Sequence, residues 1–353
     1  MTALWSPVKI GKLELKHRLG LAPMTRSRAK ADGSPGDLAA EYYAQRASLG
    51  LLISEGSQPS DDGQGYTTTP GIYTDAHVKG WKTVTDAVHK AGGNLYIQLM
   101  HAGRIAHPDN TPHHRAPVAP SAISAEQPMY TPTGMQNTPI PRSLTTAEVK
   151  ETVKDFAHAA KRAIEADADG VEIHGANGYL IQQFLAPNAN SRTDEYGGSF
   201  ENRARFAIEV AKAVAAEIGP ERTGIRISPK GGAGGLDEGP DVAKLYHYLV
   251  TELNKLNLAY LHILHAGDEV LVQDLRKAWK HPLLVNRPNA TPENLDQDVK
   301  TGLADLVPVG KMALANPDLV TRLQKKAPLN QPNPATFFGG GEAGFTDYPT
   351  LAA

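Results

Sequence analysis

The 353-residue sequence contains no cysteine, and this absence removes several kinds of chemistry at once. Without thiols the chain can form no disulfide, no thiolate nucleophile and no zinc site with sulfur ligands. Histidine is present 13 times, but never in the HExxH spacing of a helical zinc site. We therefore expect no catalytic metal.

Long apolar runs and dense basic blocks are also missing. No stretch approaches the roughly 20 apolar residues that cross a bilayer. The formal net charge of -2, without a Lys/Arg block, leaves no footprint for nucleic acid or an anionic membrane. Residues 1–17 alternate apolar and polar side chains, as a hairpin does, and lack the apolar core of an export signal. We expect a cytoplasmic protein whose partner is a small molecule, not a nucleic acid or a membrane.

Short aliphatic runs alternate with longer amphipathic stretches along the whole chain. The runs predict eight strands, at residues 19–23, 51–55, 95–99, 170–174, 223–228, 258–262, 283–286 and 305–309. The amphipathic stretches predict helices at 38–48, 77–90, 147–165, 201–217, 241–255, 269–277, 292–300 and 317–325. Thr146, Thr291 and Asn316 are the predicted N-caps of three of them.

Eight β–α units predict an α/β fold of the closed (β/α)8 barrel type, built as one domain over residues 1–353. The competing architecture, an open doubly wound sheet, needs a glycine fingerprint after its first strand. The only GxGxxG string, at Gly339, Gly341 and Gly344, follows no predicted strand, so we interpret it as part of a tail over residues 328–353 that lies back over the barrel. Two segments are longer than ordinary barrel loops. Residues 104–142, after the third strand, are the expected lid or small hairpin, and residues 182–199, after the fourth, are a long loop of the kind that usually carries function.

Polar residues follow several of the predicted strands. Because the chemistry of such barrels lies at the carboxyl ends of their strands, these residues predict one polar pocket. They are Thr25, Gly56, Gln98, His101, His174, Asn177, Tyr179, Arg226, Arg287, Asn289, Gly310 and Lys311.

His174, Asn177 and Tyr179 constrain the chemistry most. An imidazole and an amide can hold a developing oxyanion, and a phenol with a pKa of about 10 can deliver a proton to carbon. This set favours reduction or isomerisation over hydrolysis. The structural alternative is that His174 and Asn177 cap the next helix and Tyr179 packs.

Arg226 is a lone cation inside a predicted buried strand, so it requires an anion, either a carboxylate or a ligand. Gly310 and Lys311 follow the eighth strand, the place where such barrels often bind phosphate through backbone N–H groups. A cation, an amide and this phosphate site together suit flavin mononucleotide, and they also suit other phosphorylated ligands.

The sequence resembles the old yellow enzymes along nearly its whole length. The resemblance is carried by residues 22–25 (APMT), 97–104 (IQLMHAGR), 172–180 (EIHGANGYL), 192–203 (RTDEYGGSFENR), 224–229 (GIRISP) and 315–320 (ANPDLV). The tail, 338–349 (FGGGEAGFTDYP), resembles bacterial members that reduce pentaerythritol tetranitrate, N-ethylmaleimide and glycerol trinitrate. We expect the charged residues within 192–203 to hold a structural loop.

The resemblance implies an FMN-dependent enzyme that oxidises NAD(P)H and reduces alkenes activated by a carbonyl or nitro group. His174 and Asn177 would hold the substrate oxygen, flavin N5 would give hydride to the β-carbon, and Tyr179 would protonate the α-carbon. It implies substrates among enones, maleimides, nitroalkenes and nitrate esters, and a monomer or homodimer. The implied contacts to a tightly bound, non-covalent FMN are Pro23, Met24, Thr25, Gly56, Gln98, Arg226, Asn289, Gly310 and Lys311, and the further substrate contacts are Tyr66, Met100 and Arg142.

Three features depart from the family pattern. Met100 stands where Trp is frequent, residues 286–289 (NRPN) replace a glycine-rich turn, and Lys311 stands where Arg is typical. We expect the positive charge of Arg287 to attract the phosphate and so to compensate for the missing glycine-rich turn.

Three alternatives stay open. The same flavin site could act chiefly on nitrate esters or nitroaromatics. A flavin-free barrel lyase or isomerase could use His174 and Tyr179 on a phosphorylated substrate. The third alternative is a binding protein without catalysis.

Overall fold

A closed ring of parallel strands organises the chain, as seen in a computed structural model that describes residues 3–351. In chain order the strands are β1 (Val8–Ile10), β2 (Leu13–Leu15), β3 (Leu19–Leu21), β4 (Leu51–Ser57), β5 (Leu95–Leu99), β6 (Val118–Ala119), β7 (Pro128–Thr131), β8 (Gly134–Asn137), β9 (Arg142–Ser143), β10 (Gly170–Gly175), β11 (Thr223–Ile227), β12 (Tyr260–Leu264), β13 (Leu283–Asn286) and β14 (Val307–Val309). The main sheet has eight strands in the order β13-β12-β11-β10-β5-β4-β3-β14. A parallel bridge between Leu284 and Leu306 closes it. The predicted barrel is confirmed.

Helices cover the outside of the barrel. They are α1 (Ala39–Ala44), α2 (Asp75–Lys90), α3 (Thr146–Glu165), α4 (Leu180–Leu185), α5 (Phe200–Ile218), α6 (Val242–Asn254), α7 (Glu269–Ala278), α8 (Gln297–Lys300), α9 (Lys311–Ala315) and α10 (Leu319–Lys325). Two of these were not predicted. α4 occupies the start of the segment expected as a loop over 182–199, and α9 follows β14 directly.

The three predicted N-caps are wrong, and the helices concerned begin at other residues. The N-cap of α3 is Thr145, whose hydroxyl and the Glu148 carboxylate form a capping box, whereas the Thr146 hydroxyl bonds Asp194. The predicted helix 292–300 is reduced to α8, because residues 291–296 form turns in which Asn294 bonds the Thr291 backbone. Asn316 bonds the loop at Asn330 and does not cap α10.

Alternate side chains along each strand face opposite sides of the barrel wall. The outward set, such as Val171, Ile173 and Ile225, packs against helix residues in one large apolar cluster. The inward set near the amino ends of the strands forms a separate apolar floor that includes Tyr96 and Tyr260, and the β1–β2 hairpin contributes Ile10 and Leu15 to it. The hairpin therefore plugs the end of the barrel opposite the strand carboxyl ends.

Two glycines make room for the tyrosines of this floor. A Cβ atom on Gly170 would lie 2.5 Å from the Tyr96 ring, and one on Gly224 would lie 2.3 Å from the Tyr260 ring. The two rings are 5.6 Å apart, so they fill the barrel axis together. This packing leaves the opposite end of the interior for polar side chains.

The excursion after β5 contains the short antiparallel β7–β8 hairpin, and the chain after α10 runs back over the barrel. Residues 1, 2, 352 and 353 of the predicted hairpin and tail segments lie outside the described residues. Within residues 3–351 no helix has the length and apolar character required to cross a bilayer.

Replacing Thr145 with alanine tests the capping box of α3. The Glu148 backbone N–H would lose its side-chain acceptor, so we expect the free energy of unfolding to fall by about 1 kcal/mol. Urea denaturation followed by circular dichroism measures this. Thr83→Ala is the control, because the exposed Thr83 hydroxyl bonds only the Lys79 carbonyl of its own helix, and a change within about 0.5 kcal/mol is expected. Equal losses for the two variants would contradict the assignment.

Candidate active site

A cavity of about 940 Å³ opens at the carboxyl ends of the barrel strands. Most predicted site residues line it: Pro23, Met24, Thr25, Tyr66, Gln98, Met100, His174, Asn177, Tyr179, Arg226 and Lys311. They come from distant parts of the chain, and the closed ring of strands brings them to one face.

Six predicted site residues are not part of the cavity lining: Gly56, His101, Arg142, Arg287, Asn289 and Gly310. His101 is buried outside it, where its Nδ1 accepts the Gly103 N–H at 3.1 Å. Gly56 and Gly310 lie behind it, since a Cβ atom on Gly56 would meet Met100 Sδ at 2.5 Å and one on Gly310 would meet Met24 Sδ at 3.3 Å. Asn289 is exposed outside the lining. Arg142 is also exposed and outside it, because its guanidinium pairs with Glu148 at 2.8 Å. Arg142 therefore does not stand at the cavity mouth in this structure.

His174 is held as a neutral hydrogen-bond donor. Its side chain is only 3% exposed, and its Nδ1 accepts the Ala176 N–H at 3.2 Å. A ring nitrogen that accepts a hydrogen bond carries no proton, so the neutral ring carries its proton on Nε2. Burial, together with the nearby Arg226 and His262, keeps the pKa of His174 well below its ordinary value.

The turn after β10 presents Asn177. Its backbone has a positive φ of 56°, a left-handed conformation that asparagine tolerates better than most residues. The Asn177 N–H bonds the Ser228 hydroxyl at 2.9 Å, and the next N–H, that of Gly178, bonds the Gln182 side chain at 2.8 Å. The backbone is thus fixed while the Asn177 side chain lines the cavity.

Tyr179 packs edge-on against His174, with ring centroids 4.9 Å apart. Its hydroxyl lies 3.0 Å from the hydroxyl of Tyr66, which comes from the loop after β4. Burial, and then the contact with Tyr66, raise the pKa of Tyr179 well above its ordinary value. Tyr179 therefore carries its proton throughout the neutral range.

Arg226 is 4% exposed and has no carboxylate within ion-pair distance among the described residues. Its Nη2 donates to Asn286 Oδ1 at 3.0 Å, and its Nε has no hydrogen-bond partner within residues 3–351. The sequence left two possible anionic partners for Arg226, a carboxylate of the protein or a ligand. Within residues 3–351 no carboxylate contacts the guanidinium. The guanidinium lines the cavity with bonding capacity to spare.

Arg287 does not offer the compensating charge expected from the sequence. Its guanidinium bonds Asp298 at 2.6 Å and Glu269 at 3.0 Å, and it does not line the cavity. Lys311 is exposed at the cavity rim and has no ion pair within the described part of the chain. The available cation at this edge is therefore Lys311.

The C-terminal segment forms part of the cavity mouth through Phe337, Phe338, Gly339 and Gly340. Two arginines fasten it. Arg26 donates to the carbonyls of Phe337 at 3.0 Å and Gly344 at 2.7 Å, and the Arg28 guanidinium lies 4.5 Å from the centre of the Phe345 ring. The tail thus lies over the barrel as expected.

Sequence reasoning missed a group of lining residues. They are Arg26, Ser27, Thr67, Thr68, Pro128, Met129, Tyr130, Leu314 and the tail residues 337–340. The first four lie within two positions of Thr25 or Tyr66, so proximity in sequence was a usable signal. The β7–β8 hairpin lies in the segment 104–142 expected as a lid, and residues 337–340 lie in the predicted tail, but the sequence did not show which of their residues reach the cavity.

Comparisons with known proteins agree with this geometry. A family model described as NADH:flavin oxidoreductase / NADH oxidase matches residues 3–330. The chain is 44% identical to 12-oxophytodienoate reductase 1 of Oryza sativa subsp. japonica, covering 99% of this chain and 93% of that one. It is 40% identical to a probable flavin mononucleotide-dependent alkene reductase of Leishmania infantum, covering 98% of this chain and 96% of that one.

Two solved structures superimpose closely on the chain. Morphinone reductase in complex with tetrahydroNAD has a TM-score of 0.94 and 43% identity, with 99% of this chain and 98% of that chain covered. The old yellow enzyme homologue from Zymomonas mobilis has a TM-score of 0.95 and 38% identity, with 99% of each chain covered. The likeness therefore extends over the barrel, the excursions and the tail.

The protonation state of His174 can be measured directly. We expect Nε2 to carry the proton and Nδ1 to carry none between pH 5.5 and pH 8, roughly the range around the ordinary pKa of about 6.5, because burial opposes the charged ring. Long-range 1H–15N spectra of imidazole-labelled protein, with His174→Gln for assignment, would show this. Titration near pH 6.5, or a proton on Nδ1, would contradict the assignment.

Proposed function

The chain belongs to the old yellow enzyme family, within the NADH:flavin oxidoreductase / NADH oxidase family, and from this premise we propose that it uses FMN and NAD(P)H to reduce activated alkenes. The proposed substrates carry a carbonyl or nitro group next to the double bond. Family membership argues against the flavin-free lyase and the binding protein without catalysis.

The cavity residues fit FMN in three respects. Arg226 is a buried cation with spare hydrogen-bonding capacity, which suits the electron-rich edge of a flavin ring. Gln98 offers an amide to a ring with donors and acceptors along one edge, and Lys311 offers a free cation for the phosphate. Bound there, FMN supplies the hydride-transfer chemistry that couples NAD(P)H oxidation to alkene reduction.

His174 and Asn177 would bind the oxygen of the activating group. The Nε2–H of a neutral imidazole and the N–H of a carboxamide are donors that stabilise negative charge as it develops on that oxygen. A neutral ring also keeps its proton, so His174 polarises the substrate without protonating it. This polarisation makes the β-carbon more electrophilic.

Tyr179 would complete the reaction by giving its hydroxyl proton to the α-carbon. The raised pKa keeps this proton available in the neutral range, and Tyr66 is hydrogen-bonded to the same oxygen, within reach to orient it. The single observation that carries the proposal is the convergence of His174, Tyr179 and Arg226 on one cavity: an oxyanion donor, a proton donor and an unpaired cation.

A visible spectrum of the purified protein tests the cofactor. We expect flavin absorbance, bleaching by NADH or NADPH without oxygen, and recovery of the oxidised spectrum on adding 2-cyclohexenone. FMN released on denaturation identifies the flavin by its mass. Protein that is colourless and takes up no added FMN would refute the proposal, whereas nitrite release from nitrate esters with no enone reduction would favour the nitrate ester alternative.

Tyr179→Phe tests the proton donor. We expect flavin reduction by NAD(P)H to continue, and reoxidation by 2-cyclohexenone to slow by roughly 10²- to 10⁴-fold, because only the second half-reaction needs the phenol. Stopped-flow measurement separates the two steps. Tyr66→Phe is the companion variant, since it removes the hydroxyl bonded to Tyr179 and leaves the donor itself, and a smaller effect is expected. Equal reoxidation rates for wild type and Tyr179→Phe would rule out this role.

A further inference from the structure

We propose that Glu172 is a positioning residue for the flavin ring: it determines which end of the Gln98 amide faces the cavity, and its charge offsets that of Arg226. The inference rests on the proposed function, since it concerns how this chain would hold FMN. Glu172 lies below the cavity and does not line it.

Glu172, Gln98, Arg226 and His262 come from four consecutive strands of the ring. Glu172 on β10 is opposite Gln98 on β5, and Arg226 on β11 is opposite His262 on β12. All four side chains are almost completely buried, with 0% of Glu172 and His262, 2% of Gln98 and 4% of Arg226 exposed. Together they form a polar layer between the apolar floor and the cavity.

The amide of Gln98 has only one orientation compatible with Glu172. An ionised carboxylate can only accept hydrogen bonds, so the Gln98 Nε2 group must face Glu172 Oε1, and the two atoms are 2.8 Å apart. The Gln98 carbonyl oxygen has no donor among residues 3–351, and Gln98 lines the cavity. A ligand that meets this oxygen must bring a hydrogen-bond donor, and the imide N3–H of a flavin is such a donor.

His262 fixes the other oxygen of the carboxylate. Its Nδ1 lies 2.8 Å from Glu172 Oε2, and burial lowers the pKa of His262, so the ring is a neutral donor to an anion. Burial acts to raise the pKa of Glu172, but His262, Arg226 and Gln98 outweigh it and hold that pKa below its ordinary value. Glu172 therefore keeps its negative charge inside the barrel.

The charges of Glu172 and Arg226 act on the same ligand. Reduction adds negative charge to a flavin, which Arg226 favours and Glu172 opposes, because charges interact strongly where water is excluded. Removing the charge of Glu172 would leave Arg226 unbalanced. The midpoint potential of bound FMN would then rise.

Glu172→Gln and Glu172→Asp test both parts of the proposal. The control is Glu238→Gln, because Glu238 is also a buried carboxylate, 5% exposed, and accepts from a glutamine amide, that of Gln182, at 2.9 Å, but Gln182 does not line the cavity. FMN affinity is measured by titrating the apoproteins with FMN and following the quenching of its fluorescence. The midpoint potential is measured by anaerobic dye-coupled reduction.

For Glu172→Gln we expect a dissociation constant for oxidised FMN about tenfold higher than wild type, since the Gln98 amide can turn. We also expect a more positive midpoint potential. Glu172→Asp keeps the charge, so its potential should stay nearer the wild-type value than that of Glu172→Gln. Values for Glu172→Gln matching those of Glu238→Gln would overturn the proposal, because a merely structural carboxylate would behave in this way.

A measurement on wild-type apoprotein covers the case in which the variants do not fold. 3-Methyl-FMN lacks the N3–H donor, so we expect it to bind at least about tenfold more weakly than FMN if the Gln98 oxygen faces the ring. Equal affinities would overturn the inferred amide orientation. If wild-type apoprotein binds neither flavin, the proposed function itself fails, and this outcome is distinct from failure of the inference alone.

Discussion

Closure of the barrel obliges every strand to place alternate side chains in a narrow interior, and the rest of the structure follows from this constraint. The β1–β2 hairpin and the paired tyrosines fill one end of that interior with apolar groups. The other end receives Gln98, Glu172, His174 and Arg226, which cannot turn outward without exchanging places with the apolar residues that pack on the helices. The reactive residues and the residues that support them are thus successive layers of the same strands.

Burying charge in this interior is costly, and the chain meets the cost in two different ways. Glu172 is satisfied by protein donors, with Gln98 and His262 each 2.8 Å from one of its oxygens. Arg226 has a single hydrogen bond to residues 3–351 and unused capacity beside the cavity. A carboxylate already satisfied by its neighbours serves to position other groups, whereas a guanidinium with spare capacity is suited to hold a ligand.

The errors in the sequence-based predictions have identifiable physical causes. Thr145 and Thr146 are both good N-cap residues, but only Thr145 has a Glu three positions later to complete a capping box, and the Thr146 hydroxyl bonds Asp194 instead. The family resemblance implied that Arg142 contacts the substrate. Its guanidinium instead pairs with Glu148, the carboxylate of the same capping box, away from the cavity. Arg287 was assigned a free charge, but Asp298 and Glu269 neutralise it. In each case the outcome depends on which acidic side chain the residue meets, and strand periodicity does not show these pairings.

The sequence by itself determined the eight-unit barrel and the strand-end residues His174, Asn177, Tyr179 and Gln98, because periodicity and local motifs are properties of neighbouring residues. Tertiary structure alone decided the hydroxyl contact between Tyr66 and Tyr179, the fastening of the tail by Arg26, and the side of Gln98 that faces the cavity. These features join residues far apart in the chain. Their geometry depends on the path of the backbone and on which buried donor meets which acceptor, and neither is written in the local pattern.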